Sequence, residues 1–146
     1  MALNKKKIFK KNSQKEAFVP FDKANVIRPL KLFISVVPYG QGQGIVKLME
    51  ELGSTYSYIA TGEGTGKNYL PGLLSANDVK KQIVFTFVRA DKSKEVCEVL
   101  ENRFSAAKAA NGIALSIKLT SVAGVSVYRF LSNIRKVQKV RNDDEF

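Results

Sequence analysis

The sequence predicts an α+β domain with the element order strand, helix, strand, strand, helix, strand. Three observations predict it: four short apolar runs rich in β-branched and aromatic residues, two intervening stretches with helical apolar spacing, and glycine or proline where these segments should stop. The first run, Leu32–Pro38, ends at a proline, as strands commonly do. Ile45, Leu48, Met49 and Leu52 then fall on one helical face, and Gly53 supplies the left-handed residue that closes a helix.

Ser54–Thr61 is the second strand and Lys81–Arg89 the third, with about twenty residues of no core pattern between them. Asp91 can cap a second helix, whose stripe is Val96, Val99, Leu100 and Phe104; Cys97 borders it as a packing residue. Ile113–Leu119 is the last strand. Two crossover helices and four strands make a ferredoxin-like α+β sandwich, helices on one face of an antiparallel sheet.

Parity divides the strand residues between the two faces. Leu32, Ile34, Val36, Ile83, Phe85, Phe87, Ile113, Leu115 and Ile117 are expected under the helices. Phe33, Ser35, Val37, Val84, Thr86, Val88, Ala114 and Ser116 then point away, and their small apolar surface is expected to be covered by self-association. Tyr56 and Tyr58 alternate with Thr55, Ser57 and Ile59, and either set could be the covered one.

The chain of 146 residues carries a net charge of +11. Residues 1–30 hold eight Lys or Arg against Glu16 and Asp22, a net of +6, and read as a basic, disordered tail. The domain spans residues 31–133, and 134–146 is a charged C-terminal tail. No apolar run is long enough to span a bilayer, and the basic start lacks the apolar segment of a signal peptide, so a cytoplasmic location is expected. One cysteine excludes an internal disulfide; the lack of histidine removes the commonest general base and transition-metal ligand.

Two glycine-rich stretches need a test. TGEGTGK, Thr61–Lys67, fails the P-loop spacing, because Thr61 stands where the first glycine belongs and Asn68 where the hydroxyl belongs. Its backbone N–H groups can still form an anion-attracting nest, with Lys67 adding charge. GQGQG, Gly40–Gly44, has Ile45 in place of the third glycine of a dinucleotide fingerprint and reads as the entry to a short helix. Glu63 and Asp78 flank the first loop as solvated carboxylates, and Cys97 has no histidine to activate it, so no enzyme is expected.

With these elements in place, the chain from about Lys31 to Asn133 resembles the PII signal-transduction family. The resemblance rests on a strand ending in proline followed by a helix closing on Glu51-Leu52-Gly53, a second strand running into Gly62-Glu63-Gly64, and the stretch AAKAANGIALSIKL. It implies a homotrimer with effector clefts between subunits. It also implies a T-loop, here KNYLPGLLSANDV with Tyr69 in it, that reports the bound effector to a client, a membrane transporter or metabolic enzyme.

The candidate effector-site residues that the resemblance implies are Gly62, Gly64, Thr65, Lys67, Lys108, Asn111, Gly112 and Arg129, with Thr65 standing where the family has a basic residue and Arg129 alone where it has paired arginines. Ala107, Ala110 and Ile113 replace residues that would bind phosphate in the family. The implied effector is therefore an adenyl nucleotide or a small anion, with no obligatory cofactor. The alternative is an RNA-recognition module of the same element order. It is not expected, because the third strand lacks the motif's glycines and because Phe85 and Phe87 share parity with Ile83, read here as a core pattern.

Overall fold

A computed structural model describes residues 17–64, 80–106 and 111–134. Its elements are α1 (Phe21–Ala24), β1 (Leu30–Pro38), α2 (Gly42–Glu51), β2 (Ser57–Glu63), β3 (Lys80–Arg89), α3 (Ser93–Ala106), β4 (Ile113–Lys118) and α4 (Val125–Leu131). The four strands form one sheet in the order β2-β3-β1-β4, and every neighbouring pair is antiparallel. The connection through α2 carries the chain from β1 past β3 to β2, and the one through α3 carries it from β3 past β1 to β4. This is the expected ferredoxin-like sandwich.

The core lies between the sheet and these two helices. Phe33, Val37, Val84 and Val88 meet Ile45, Val46 and Met49 of α2 and Val96 and Leu100 of α3. The face under the helices is thus the opposite of the one expected from parity. Phe33, Ser35, Val37, Val84, Thr86 and Val88 are buried there, whereas Leu32, Ile34, Val36, Ile83, Phe85 and Phe87 lie on the other side with Ile113, Leu115 and Ile117. The physical reason is size. Ser35 and Thr86, at the centre of the sheet, are small enough to leave room for the helices' own Ile45, Met49 and Leu100. In β2, Ser57 and Ile59 join the covered face and Tyr58 the open one; Ser57 Oγ and Thr86 Oγ1 are 3.0 Å apart.

Local chemistry sets the helix ends. Gly40 and Gly53 have φ of +89° and +94°, where a side chain would be strained. Gln82 Oε1 accepts the N–H of Gly40 at 3.0 Å and of Gly42 at 2.8 Å, so the GQGQG turn is fastened to β3. Asp91 does not cap α3. It sits in a 3₁₀ turn, Ala90–Lys92, and its carboxylate takes hydrogen bonds from Arg89 Nε at 3.0 Å and Nη2 at 2.7 Å. Cys97 is exposed, a correction to its expected packing role.

Two short helices were not anticipated. In α4, Tyr128 and Leu131 are buried against Leu30, with Phe21, Phe87, Leu119, Val122 and Ile134 packed around them. The Tyr128 hydroxyl accepts Arg28 N–H at 2.7 Å and donates to Arg28 O at 3.1 Å. Packing therefore draws in Phe21 and Leu30, which the sequence reading places in the basic tail. α4 covers one end of the otherwise open sheet face, and Thr55, two residues before β2, ties it down by donating its Oγ1 hydrogen to Phe130 O at 2.6 Å.

Candidate functional site

Two features stand out: the glycine-rich end of the sheet and the sheet face without helices. Gly62 pairs with Lys81 near the end of β2, and Lys81 pairs in turn with Pro38 at the end of β1. Ile113, two places from that end, pairs with Val36, so Asn111 and Gly112 enter β4 at the same end of the sheet as Gly62 and Gly64. The two pairs stand on opposite edges. With β3 and β1 between them, they are separated by three strand spacings, about 14 Å. A single chain does not bring them into one pocket.

Arg129 stands at the other end. Its guanidinium lies over the Phe21 ring, 5.2 Å from the centroid, a cation–π contact on α4. Its Nε is buried with no hydrogen-bond partner among the described residues. Thr65, Lys67 and Lys108 lie outside the described residues, as do Tyr69 and Asp78.

The glycines at the shared end have different local reasons. A Cβ on Gly112 would come within 2.5 Å of Phe104 Cε1, so packing alone requires glycine there. A Cβ on Gly62 would meet Ile83 Cδ1 at 3.4 Å, ordinary contact. Behind Asn111 and Gly112 a cavity of about 520 Å³ opens between α3 and β4, lined by Phe33, Leu100, Phe104 and Ala114 with Cys97 and Glu101 among its walls. It exists because Ala114 and Ser116 are too small to fill the gap beneath α3.

The open face is apolar through its centre. Tyr58, Phe85, Ile34 and Leu115 form one row across the four strands, Ala60, Ile83, Val36 and Ile113 the next, and Phe87, Leu32 and Ile117 a third. Ile113, Leu115 and Ile117 keep 48%, 47% and 47% of their surface exposed, and Tyr58 56%. Sequence reasoning found that one sheet face would lie open but assigned it the wrong residues. No parity rule could have chosen, because both sets are apolar. Ladders of this size left in water mark an interaction surface.

No protein-family model and no curated protein matches the chain. Solved structures do. The chain is similar to CutA from Synechococcus elongatus, solved with a Bis-Tris molecule, with a TM-score of 0.56 and 11% identity over 72% of this chain and 92% of that one. It is also similar to a PII-like signalling protein from Thermus thermophilus, at TM-score 0.48 and 19% identity over 63% and 88% of the two chains. CPII from Thiomonas intermedia, bound to ADP, AMP and acetate, compares at TM-score 0.48 and 16% identity over 64% and 91%. The chain has the ferredoxin-like α+β fold, and the solved structures that resemble it include CutA and PII-like signalling proteins.

Proposed function

We propose that this chain is a PII-like regulatory protein. It works as a homotrimer, binds an adenyl nucleotide or small anion in clefts between subunits, and signals to a client transporter or enzyme through the connection from Gly62 to Asp78. The observation that carries the reading is the open apolar face. Covering the exposed half of Ile113, Leu115 and Ile117 would contribute about 1 kcal/mol each, before the cost of association.

Packing such faces in a closed ring sets the β2 edge of one copy beside the β4 edge of the next. Gly62 and Gly64 of one chain then share a cleft with Asn111 and Gly112 of its neighbour. Thr65 and Lys67 follow Gly64 in sequence and Lys108 precedes Asn111, so backbone N–H groups and two ammonium groups are available to an anion.

The RNA-binding alternative lost one of its counterarguments, since Phe85 lies on the open face and not in the core. Its surroundings still disfavour it. Phe85 pairs with Tyr58 on one side and Ile34 on the other, but Ile34, Val36, Ile83, Ile113, Leu115 and Ile117 of the same face are aliphatic, whereas a base-stacking platform needs aromatic rings set among polar and basic groups.

Light scattering at micromolar concentration should return three times the chain mass, followed by a thermal-shift screen with ADP, AMP, ATP and bicarbonate. A ligand at one hundred times its dissociation constant stabilises the fold by about 2.7 kcal/mol. A one-chain mass would overturn the reading, and a trimer indifferent to every compound would remove its effector.

A further inference from the structure

We infer that a cavity beside α4 binds a free amino acid with an apolar side chain. The cavity, about 500 Å³, lies between the segment from Phe21 to Leu30 and the turn that leads from β4 into α4. Small-molecule sites occupy roughly 300–1,000 Å³. It is separate from the cavity beneath α3, and it stands at the Leu30 end of the sheet, away from Gly62 and Gly112. A guest here leaves the glycine-rich end free.

The floor is apolar and held in place. Leu30 and Tyr128 are buried there and pack with Phe21 and Leu119. Leu119 N–H donates to Leu30 O at 3.0 Å, and the Tyr128 hydroxyl holds the Arg28 backbone by accepting its N–H and donating to its carbonyl. Asn25 Nδ2 closes α1 by donating to Phe21 O at 3.1 Å. A floor pinned in this way offers an apolar side chain a formed pocket.

The charges choose the guest. Among the residues that line the cavity only Asp22 and Arg28 are charged, and both belong to one wall; the opposite wall, from Leu119 to Val125, carries none. Asp22 and Arg28 make no ion pair with each other or with another described residue. Asp91 feels the charge of Arg28, but its carboxylate is bonded to Arg89. A carboxylate guest alone would be repelled by Asp22, and an ammonium guest alone by Arg28. A guest that carries both groups on an apolar skeleton answers both and fills the floor. The end of a peptide supplies one of the two charges only, which leaves the free amino acid.

The test is titration of the full chain with L-leucine, followed through amide chemical shifts. Saturable shifts are expected at Leu30, Val122 and Tyr128, and none with glycine, which lacks the side chain. Isocaproate is the leucine skeleton without its ammonium group, and isoamylamine the same skeleton without its carboxylate. Each should bind about two- to fivefold more weakly than leucine, the value of one exposed ion pair. D22N should erase the advantage of leucine over isocaproate and R28Q its advantage over isoamylamine, both at exposed positions where folding is not at stake. ADP and AMP, in contrast, are expected to move Gly62 and Gly112, so failure of the proposed effector cleft reads separately. No saturable shift with leucine, equal binding of either truncated compound, or an advantage unchanged in either variant would each overturn the inference.

Discussion

The rings of Tyr58 and Phe85 lie 6.2 Å apart, centroid to centroid, as cross-strand partners on the sheet face that α2 and α3 leave open. Phe85 continues the row to Ile34 and Leu115, so an aromatic pair and two aliphatic residues make an unbroken apolar strip from one sheet edge to the other. The strip is the place to test the proposed assembly without disturbing the core.

Leu115→Lys puts an ammonium group in that strip at a position already 47% exposed in the single chain. On the proposed trimer, the expected outcome is a fall in solution mass from three chains to one, measured by light scattering, with an unchanged far-ultraviolet circular dichroism spectrum. Burying an unpaired charge in an interface is the cost that drives the change.

Phe33 tests which face is covered. It is 2% exposed beneath the helices, so Phe33→Ala should lower stability by about 3–5 kcal/mol in urea unfolding. Leu32→Ala, next in sequence on the open face, should cost clearly less in the dissociated chain. The reverse order would restore the parity expected from sequence.

Gln82 offers a third prediction. Replacing it with Ala removes the acceptor shared by Gly40 N–H and Gly42 N–H, which should cost about 1–2 kcal/mol, the net value of two hydrogen bonds near the surface. Amide exchange at Gly40 and Gly42 should accelerate more than at Ile45, which the helix itself protects.

The Asp91–Arg89 pair gives a small pH dependence of known sign. Hydrogen bonding to the Arg89 guanidinium holds the Asp91 carboxyl below its ordinary value. A depressed folded pKa contributes stability above the unfolded pKa and loses it as pH falls through the folded one. Asp91→Asn should therefore be less stable than the parent at neutral pH, by under about 1 kcal/mol because the carboxylate is exposed, and the difference should vanish in acid. Unfolding curves at neutral pH and below the carboxylate range check it.

The order of elements was legible because each element carries its own period: two in Lys81–Arg89, and three to four in Ile45–Met49 and Val96–Leu100. The phase of the sheet was not. Phe33, Val37, Val84 and Val88 are as apolar as Leu32, Ile34, Ile83 and Phe85, and the alternation that identifies a strand says nothing about which set the helices choose. α1 and α4 escaped notice because four and seven residues hold too few turns to show a period, and only Tyr128 and Leu131 in α4 are buried. At the candidate site, Gly62, Gly64, Asn111 and Gly112 could be read as loop roots from composition. Their separation across the sheet could not, since it follows from strand order.

Gln82 has a mechanical consequence. It faces Thr61 on β2 and Val37 on β1, one residue from the Lys81 that pairs with Gly62. Sliding β3 by a single residue would turn the Gln82 amide to the opposite side of the sheet and strip two glycines of their acceptor. The register of β3 and the turn that opens α2 are thereby coupled, so that neither can shift without depriving the other of its partner.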